Sequence, residues 1–137
     1  MIKPKKAFSV LITDDDEQNR MLLVDLLQSI TSDVIIQQAE NGKAAILSVA
    51  DKIKQTDSNF DLIFMDFKMP ELDGEKATFE IRQIEETTGI HHKSIIITWS
   101  TARHSPYPDA NDWLIKPPQK QDLKSLLSAY GFIEADS

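Results

Sequence analysis

The stretch "LIFMDFKMPELDG", from Leu62 to Gly74, decides how the rest of the sequence is interpreted. Four apolar residues lead directly to Asp66, and a Met-Pro pair and an Asp-Gly turn follow it. This pattern predicts a buried strand that ends at a carboxylate, after which the chain turns sharply. Because a carboxylate costs free energy at the end of a buried strand unless something binds it, the rest of the sequence should supply its partner.

The composition is that of one domain with its own hydrophobic core. The chain has 137 residues, of which 41% are hydrophobic and 27% charged. It contains no cysteine, which excludes disulfides and thiolate sites and favours the cytoplasm as its location. The net charge of -7 argues against binding of nucleic acid through bulk electrostatics, and no apolar run approaches the length of a membrane span.

Strands and helices are predicted to alternate along the chain. The apolar runs and turn signals predict strands at residues 7–13, 33–39, 61–65, 94–99 and 112–115, and the helical spacing of apolar residues predicts helices at 17–30, 40–53, 74–86 and 119–130. Such an order predicts an α/β fold, in which helices cover both faces of a doubly wound, mostly parallel sheet.

The carboxyl ends of the predicted strands carry polar side chains. Because ligands bind beyond these ends in open parallel sheets, we expect the side chains to converge at one rim. They are Asp14, Asp15 and Asp16 after the first strand, Asp66 after the third, Ser100 and Thr101 after the fourth, and Lys116 after the fifth.

Several carboxylates at one place repel each other and favour a hard divalent cation with oxygen ligands. Mg²⁺ is the best candidate, because it is commonly held by one or two carboxylates together with phosphate oxygens. Beside such an ion Asp66 could attack phosphorus as a nucleophile, while a lysine and a hydroxyl neutralise the transferring group. The sequence therefore offers one candidate for each part of a phosphoryl-transfer site.

At this point the chain resembles a response-regulator receiver domain, the phosphoacceptor module of two-component signalling. The resemblance covers about residues 7–130 and rests on four separated motifs, "LITDDDEQNR", "LIFMDFKMPELDG", "SIIITWS" and "WLIKPP". It implies a five-stranded parallel sheet of flavodoxin-like order 2-1-3-4-5, with the whole chain, residues 1–137, forming one receiver domain.

The resemblance also implies roles for the acidic residues and for the lysine. Asp66 would be the phosphoacceptor, and Lys116 would pair with a phosphoryl oxygen. Asp14 and Asp15 would bind Mg²⁺ together with Asp66, with Asp15 as a direct ligand. The backbone carbonyl of Lys68 would complete the protein ligands.

Three further positions follow from the same resemblance. The peptide before Pro117 would be cis, and Trp113 would be the aromatic residue that moves inward on activation. Ser100 would supply the switch hydroxyl, because the loop after it begins where the family's loop does. Thr98 remains the alternative, since strand alternation places it on the same face as Ser100.

One segment departs from the family pattern. Between the fourth and fifth strands the sequence is "TARHSPYPDAND", in which Pro106 and Pro108 are hostile to a helix interior. We therefore expect the family's fourth helix to be shortened or missing.

The resemblance predicts a signalling receiver rather than an enzyme. It would take phosphoryl from a histidine kinase or a histidine phosphotransfer protein, and Asn19 and Arg20 in "DDDEQNR" resemble receivers attached to hybrid histidine kinases. Such a receiver either stands alone or belongs to a longer protein, and the sequence leaves dimerisation open. The alternatives are a receiver-fold binding module without phosphorylation and an aspartate-dependent phosphohydrolase. The hydrolase is disfavoured because Lys68 stands where that class needs an acid.

Overall fold

The computed structural model describes residues 7–101 and 108–134. Within them a helix follows each of β1, β2, β3 and β5, as the sequence predicts. The elements are β1 (Phe8–Thr13), α1 (Glu17–Ile30), β2 (Val34–Ala39), α2 (Gly42–Thr56), β3 (Leu62–Asp66), α3 (Gly74–Thr88), β4 (Ile95–Ser100), β5 (Asp112–Ile115) and α4 (Lys120–Ala129). None of these helices has the length and apolar character needed to cross a bilayer.

The five strands form one parallel sheet in the order β2-β1-β3-β4-β5, which confirms the predicted order. β1 lies between β2 and β3, so the direction of winding reverses beside β1 and β3. The carboxyl ends of these two strands are therefore the place where such a sheet binds ligands.

Both faces of the sheet are buried. On one face, Phe64 and Trp99 pack with Leu23 and Leu27 of α1 and Leu127 of α4. On the other face, residues such as Ile63 and Ile96 pack with side chains from α2 and α3. Because both faces are covered, the central strands are apolar without alternation, which is why β3 is buried along its whole length.

The first three helices begin at polar residues that cap them. The side chains of Asp16, Asn41 and Asp73 each accept a hydrogen bond from a backbone N–H in the first turn, at distances of 2.7–2.9 Å. These caps satisfy donors that would otherwise lack partners at the helix start. Asp16 therefore fixes the start of α1 after β1, and Asp73 fixes the start of α3 after the loop that follows β3. Both caps lie near the carboxyl ends of the strands.

A polar network ties the start of β5 to α3. The guanidinium of Arg82 donates to the carbonyls of Asp109 and Ser94, both at 2.9 Å, to Glu85 Oε1 at 2.7 Å and to Asn111 Oδ1 at 2.8 Å. Glu85 is buried, and its Oε2 accepts a further bond from the Ser94 N–H. The end of the β4–β5 connection is thus held by side-chain hydrogen bonds.

The prediction of a shortened or missing fourth helix concerns the segment between β4 and β5. Residues 102–107 of that segment lie outside the described residues. Residues 108–111, which precede β5, form a turn and a bend.

Candidate functional site

Asp66 is the last residue of β3 and lies at the carboxyl rim with only 6% of its surface exposed. Its Oδ1 accepts a hydrogen bond of 2.8 Å from the Lys116 ammonium. Burial raises the pKa of the Asp66 carboxyl group from its ordinary value of 3.8 to about 6, although Lys116 opposes this shift. Strand β3 thus ends at a carboxylate that is costly to ionise, and Lys116 is the partner of that carboxylate.

Lys116 follows β5 and joins two carboxylates. Besides Asp66, its ammonium donates to Asp14 Oδ2 at 2.5 Å, and both of these acids are almost fully buried. The peptide bond between Lys116 and Pro117 is cis. The backbone N–H of Lys116 donates to the Ser100 carbonyl at 2.7 Å, which fixes the start of its side chain against the end of β4.

The acidic residues after β1 occupy different environments. Asp14 is 1% exposed, and its Oδ1 accepts the Asp16 N–H at 2.8 Å while Oδ2 accepts from Lys116. Asp15 is exposed at the mouth of the site. Arg20 of α1 donates to the Asp14 carbonyl at 2.7 Å, and so holds the turn that carries both acids.

Three of these acids can share one cation. One carboxylate oxygen from each of Asp14, Asp15 and Asp66 lies within 4.8 Å of the other two. A set of only oxygen ligands, one of them open to water, suits a hard divalent ion such as Mg²⁺. The residues present therefore fit the expected metal. Asp16, in contrast, uses its side chain to cap α1.

The residue of β4 that lies beside Asp66 is Trp99. The strand register pairs Asp66 with Trp99, so the two side chains lie on the same face of the sheet. Alternation places Ser100 and Thr98 on the other face. The Thr98 hydroxyl is buried and lies 3.4 Å from the Asp112 carbonyl. The switch roles of these two residues stay predictions.

Trp99 is a site residue that the sequence analysis did not identify. It does pack in the core, but Lys116 Nζ also lies 4.4 Å from the centroid of its ring. The indole N–H donates to the Thr13 carbonyl at 3.1 Å. Hydrophobic alternation could not reveal this position, because β4 is apolar on both faces and only its pairing with β3 places Trp99 beside Asp66.

The two remaining predicted positions are near the site residues in the chain. Lys68 is exposed in the loop between β3 and α3, two residues after Asp66. Trp113 is half-buried in β5 and is paired in register with Thr98. Both are close in the chain to the residues that form the site.

Comparison with known proteins agrees with the fold. Residues 10–128 match the family of response regulator receiver domains. The chain is 30% identical over 126 residues to the two-component response regulator ORR41 of Oryza sativa subsp. japonica, a match that covers 92% of this chain and 96% of ORR41. It is also 33% identical over 132 residues to hybrid signal transduction histidine kinase A of Dictyostelium discoideum, where the match covers 93% of this chain but 6% of the kinase.

A solved structure gives the same result. The receiver domain of the histidine kinase CKI1 from Arabidopsis thaliana, complexed with Mg²⁺, superimposes with a TM-score of 0.75 at 26% identity, covering 90% of this chain and 92% of that one. The chain therefore belongs to the family of response regulator receiver domains of two-component systems. Members of this family are phosphoacceptors rather than classical enzymes.

Proposed function

We propose that this receiver accepts a phosphoryl group on Asp66 from the phosphohistidine of a histidine kinase or a histidine phosphotransfer protein. The observation that carries the proposal is the Lys116 ammonium, which lies 2.8 Å from Asp66 Oδ1 beside the acids Asp14 and Asp15. Family membership and the likeness to a hybrid histidine kinase support these partners. The chain would act as a single receiver domain in the cytoplasm.

The reaction moves one phosphoryl group and needs no redox partner. An oxygen of Asp66 forms a bond to phosphorus while the bond from phosphorus to the histidine nitrogen breaks, and that electron pair stays on the imidazole. Lys116 then pairs with a phosphoryl oxygen instead of the carboxylate oxygen. Later attack by water on phosphorus would release phosphate and restore Asp66.

The proposed metal ligands are the carboxylates of Asp14, Asp15 and Asp66 and the backbone carbonyl of Lys68. Bound Mg²⁺ would neutralise the negative charge of the transferring group. Asp15 is the natural direct ligand, because it is exposed and can bind the ion without breaking a buried contact. Asp14 already holds Lys116 and the turn at Asp16, so it would share its charge between two cations.

Phosphorylation would change partner affinity by shifting an existing equilibrium rather than by making a new fold. The side chains of Ser100 and Thr98 lie on the face of β4 away from Asp66, so the switch would act through the backbone at the end of β4, and Trp113 would move inward. The bond between the Lys116 N–H and the Ser100 carbonyl supports such coupling, because it joins the lysine directly to the end of β4.

The test is phosphorylation by acetyl phosphate in Mg²⁺, followed by intact mass. We expect one phosphoryl group per chain, stable in acid, labile in base and absent from Asp66→Asn. Asp61→Asn, which changes an acid at the opposite end of β3, is the control and should still be phosphorylated. An adduct that persists in Asp66→Asn would contradict the assignment, and multiple turnover of a phosphate ester would favour a hydrolase.

One observation favours a second candidate, a binding module that works without phosphorylation. Lys116 already donates to both Asp14 and Asp66, so these two buried carboxylates have a cationic partner without a metal ion. If this candidate holds, neither acetyl phosphate nor a phosphorylated phosphotransfer protein will produce an adduct at any Mg²⁺ concentration.

A further inference from the structure

Trp99 and Lys116 lie on the same face of the sheet as Asp66. Asp66 pairs with Trp99 across β3 and β4, and Trp99 pairs with Leu114 across β4 and β5. Lys116 is two residues beyond Leu114, so its side chain emerges on the side of the ring. The indole is therefore placed between the strand of the phosphoacceptor and the strand of the lysine.

The ring of Trp99 is held rigidly. Only 1% of the residue is exposed, and it packs in the core beneath α1 and α4. Its single N–H donates to the Thr13 carbonyl of β1, at 3.1 Å. Because that donor is used within the fold, the indole meets the site through its apolar face and not through a hydrogen bond.

The ammonium of Lys116 lies over this face, 4.4 Å from the ring centroid. That distance is well within the range in which an aromatic face attracts a cation, and the attraction is stronger where water is excluded. The same ammonium donates to Asp14 and Asp66. Three groups thus fix one charge, and two of them are carboxylates that a divalent ion would also attract.

We propose that Trp99 is a positioning residue that keeps the Lys116 ammonium at the phosphoacceptor. The proposal rests on the function proposed above. When a divalent ion binds the carboxylates it repels the ammonium, whereas the neutral ring still attracts it. Trp99 would therefore hold Lys116 in place to pair with the phosphoryl oxygen, where a residue without an aromatic face would let it move towards solvent.

Two variants isolate the aromatic face. Trp99→Phe and Trp99→Leu both lose the indole N–H and some volume, but only Trp99→Phe keeps a ring beneath the ammonium. We expect the rate of phosphorylation by acetyl phosphate to fall about 3- to 10-fold further in Trp99→Leu than in Trp99→Phe, the range for one partly desolvated cation–π contact. In a Lys116→Met background the two variants should react at equal rates. The proposal would be overturned if the two variants reacted at equal rates when Lys116 is present, or if the difference between their rates persisted in the Lys116→Met background.

A spectroscopic arm tests the contact without any phosphodonor. Trp99 and Trp113 are the two tryptophans of the chain, so in Trp113→Phe all tryptophan emission comes from Trp99. In that background Lys116→Met should change the emission maximum or intensity, whereas Lys120→Met, on the exposed start of α4, should not. Unchanged emission in Lys116→Met would refute the contact. If wild-type protein takes no phosphoryl group, the proposed function fails, while this arm still decides whether Trp99 holds the lysine.

Discussion

Lys116 places its ammonium 2.8 Å from Oδ1 of Asp66, although 50 residues separate the two in the chain. The same ammonium binds Asp14. A single ammonium is therefore the partner of the two most deeply buried acids of the site. Removing it should affect the conformational response to phosphorylation more than phosphorylation itself.

In Lys116→Ala we expect acetyl phosphate still to phosphorylate Asp66, because the nucleophile and the acidic residues remain, but more slowly than in wild type, because the ammonium that pairs with the phosphoryl oxygen is lost. The change in tryptophan emission that accompanies phosphorylation should be lost, since no ammonium then links the phosphoryl oxygen to the end of β4. Intact mass and fluorescence on the same sample separate the two effects. Lys120→Ala is the control, and an unaltered emission change in Lys116→Ala would remove the proposed role of the lysine.

Asp66 should make the metal-free protein less stable as pH rises. Burial raises the pKa of its carboxyl group from 3.8 to about 6, so the folded state binds more protons than the unfolded state between these pH values. Stability is therefore lost as pH rises from about 4 to 6 and stays low above that range. In EDTA, Asp66→Asn should be more stable than wild type at pH 7.5 by about 1–3 kcal/mol, and the difference should shrink at pH 4.5.

Urea denaturation at both pH values checks this prediction. Asp25→Asn, an exposed carboxylate on α1, provides the matched control and should leave stability nearly unchanged at either pH. A less stable Asp66→Asn at pH 7.5 would mean that the ion pair with Lys116 outweighs the cost of burying the carboxylate.

The acids after β1 should differ in their effect on Mg²⁺ binding. Asp15→Asn should abolish saturable binding, because the exposed carboxylate is the proposed direct ligand. Asp16→Asn should bind as wild type does, because asparagine caps a helix about as well as aspartate. Titration followed by calorimetry distinguishes the two variants. Equal loss of binding in both would show that the negative charge of the region, rather than a specific ligand, attracts the ion.

Arg82 should be important for stability although it lies away from the phosphoacceptor. Arg82→Ala removes four hydrogen-bonding contacts and leaves the buried Glu85 without its cation. We expect a loss of about 2–4 kcal/mol, measured by urea denaturation. Arg82→Lys keeps the positive charge but not the planar guanidinium, so it should recover only a minor part of the lost unfolding free energy. A urea midpoint of Arg82→Ala equal to that of wild type would contradict a stabilising role for this network.

The secondary structure and the rim position of the acids could be predicted because they depend on local signals. The apolar run before Asp66 identifies β3, and the acids before Glu17 mark the end of β1 and the start of α1. The alternation of strands and helices then limits the sheet to few topologies. The predicted order was confirmed for that reason.

The neighbour of Asp66 on β4 could not be predicted from these signals. Ser100 and Trp99 are adjacent in a strand that is apolar on both faces, so hydrophobic alternation does not reveal which side chain shares the face of Asp66. Only the pairing of β3 with β4 assigns that place to Trp99. A shift of one residue would have exchanged the two faces.

By itself, the sequence determined where the strands and helices lie and that several acids and one lysine stand at strand ends, because periodicity and turn residues act over short distances. The tertiary structure decided that Lys116 joins Asp14 to Asp66 and rests on the face of Trp99. It also decided that Arg82 braces the approach to β5. These contacts depend on strand register and on packing between distant segments, which no local pattern encodes.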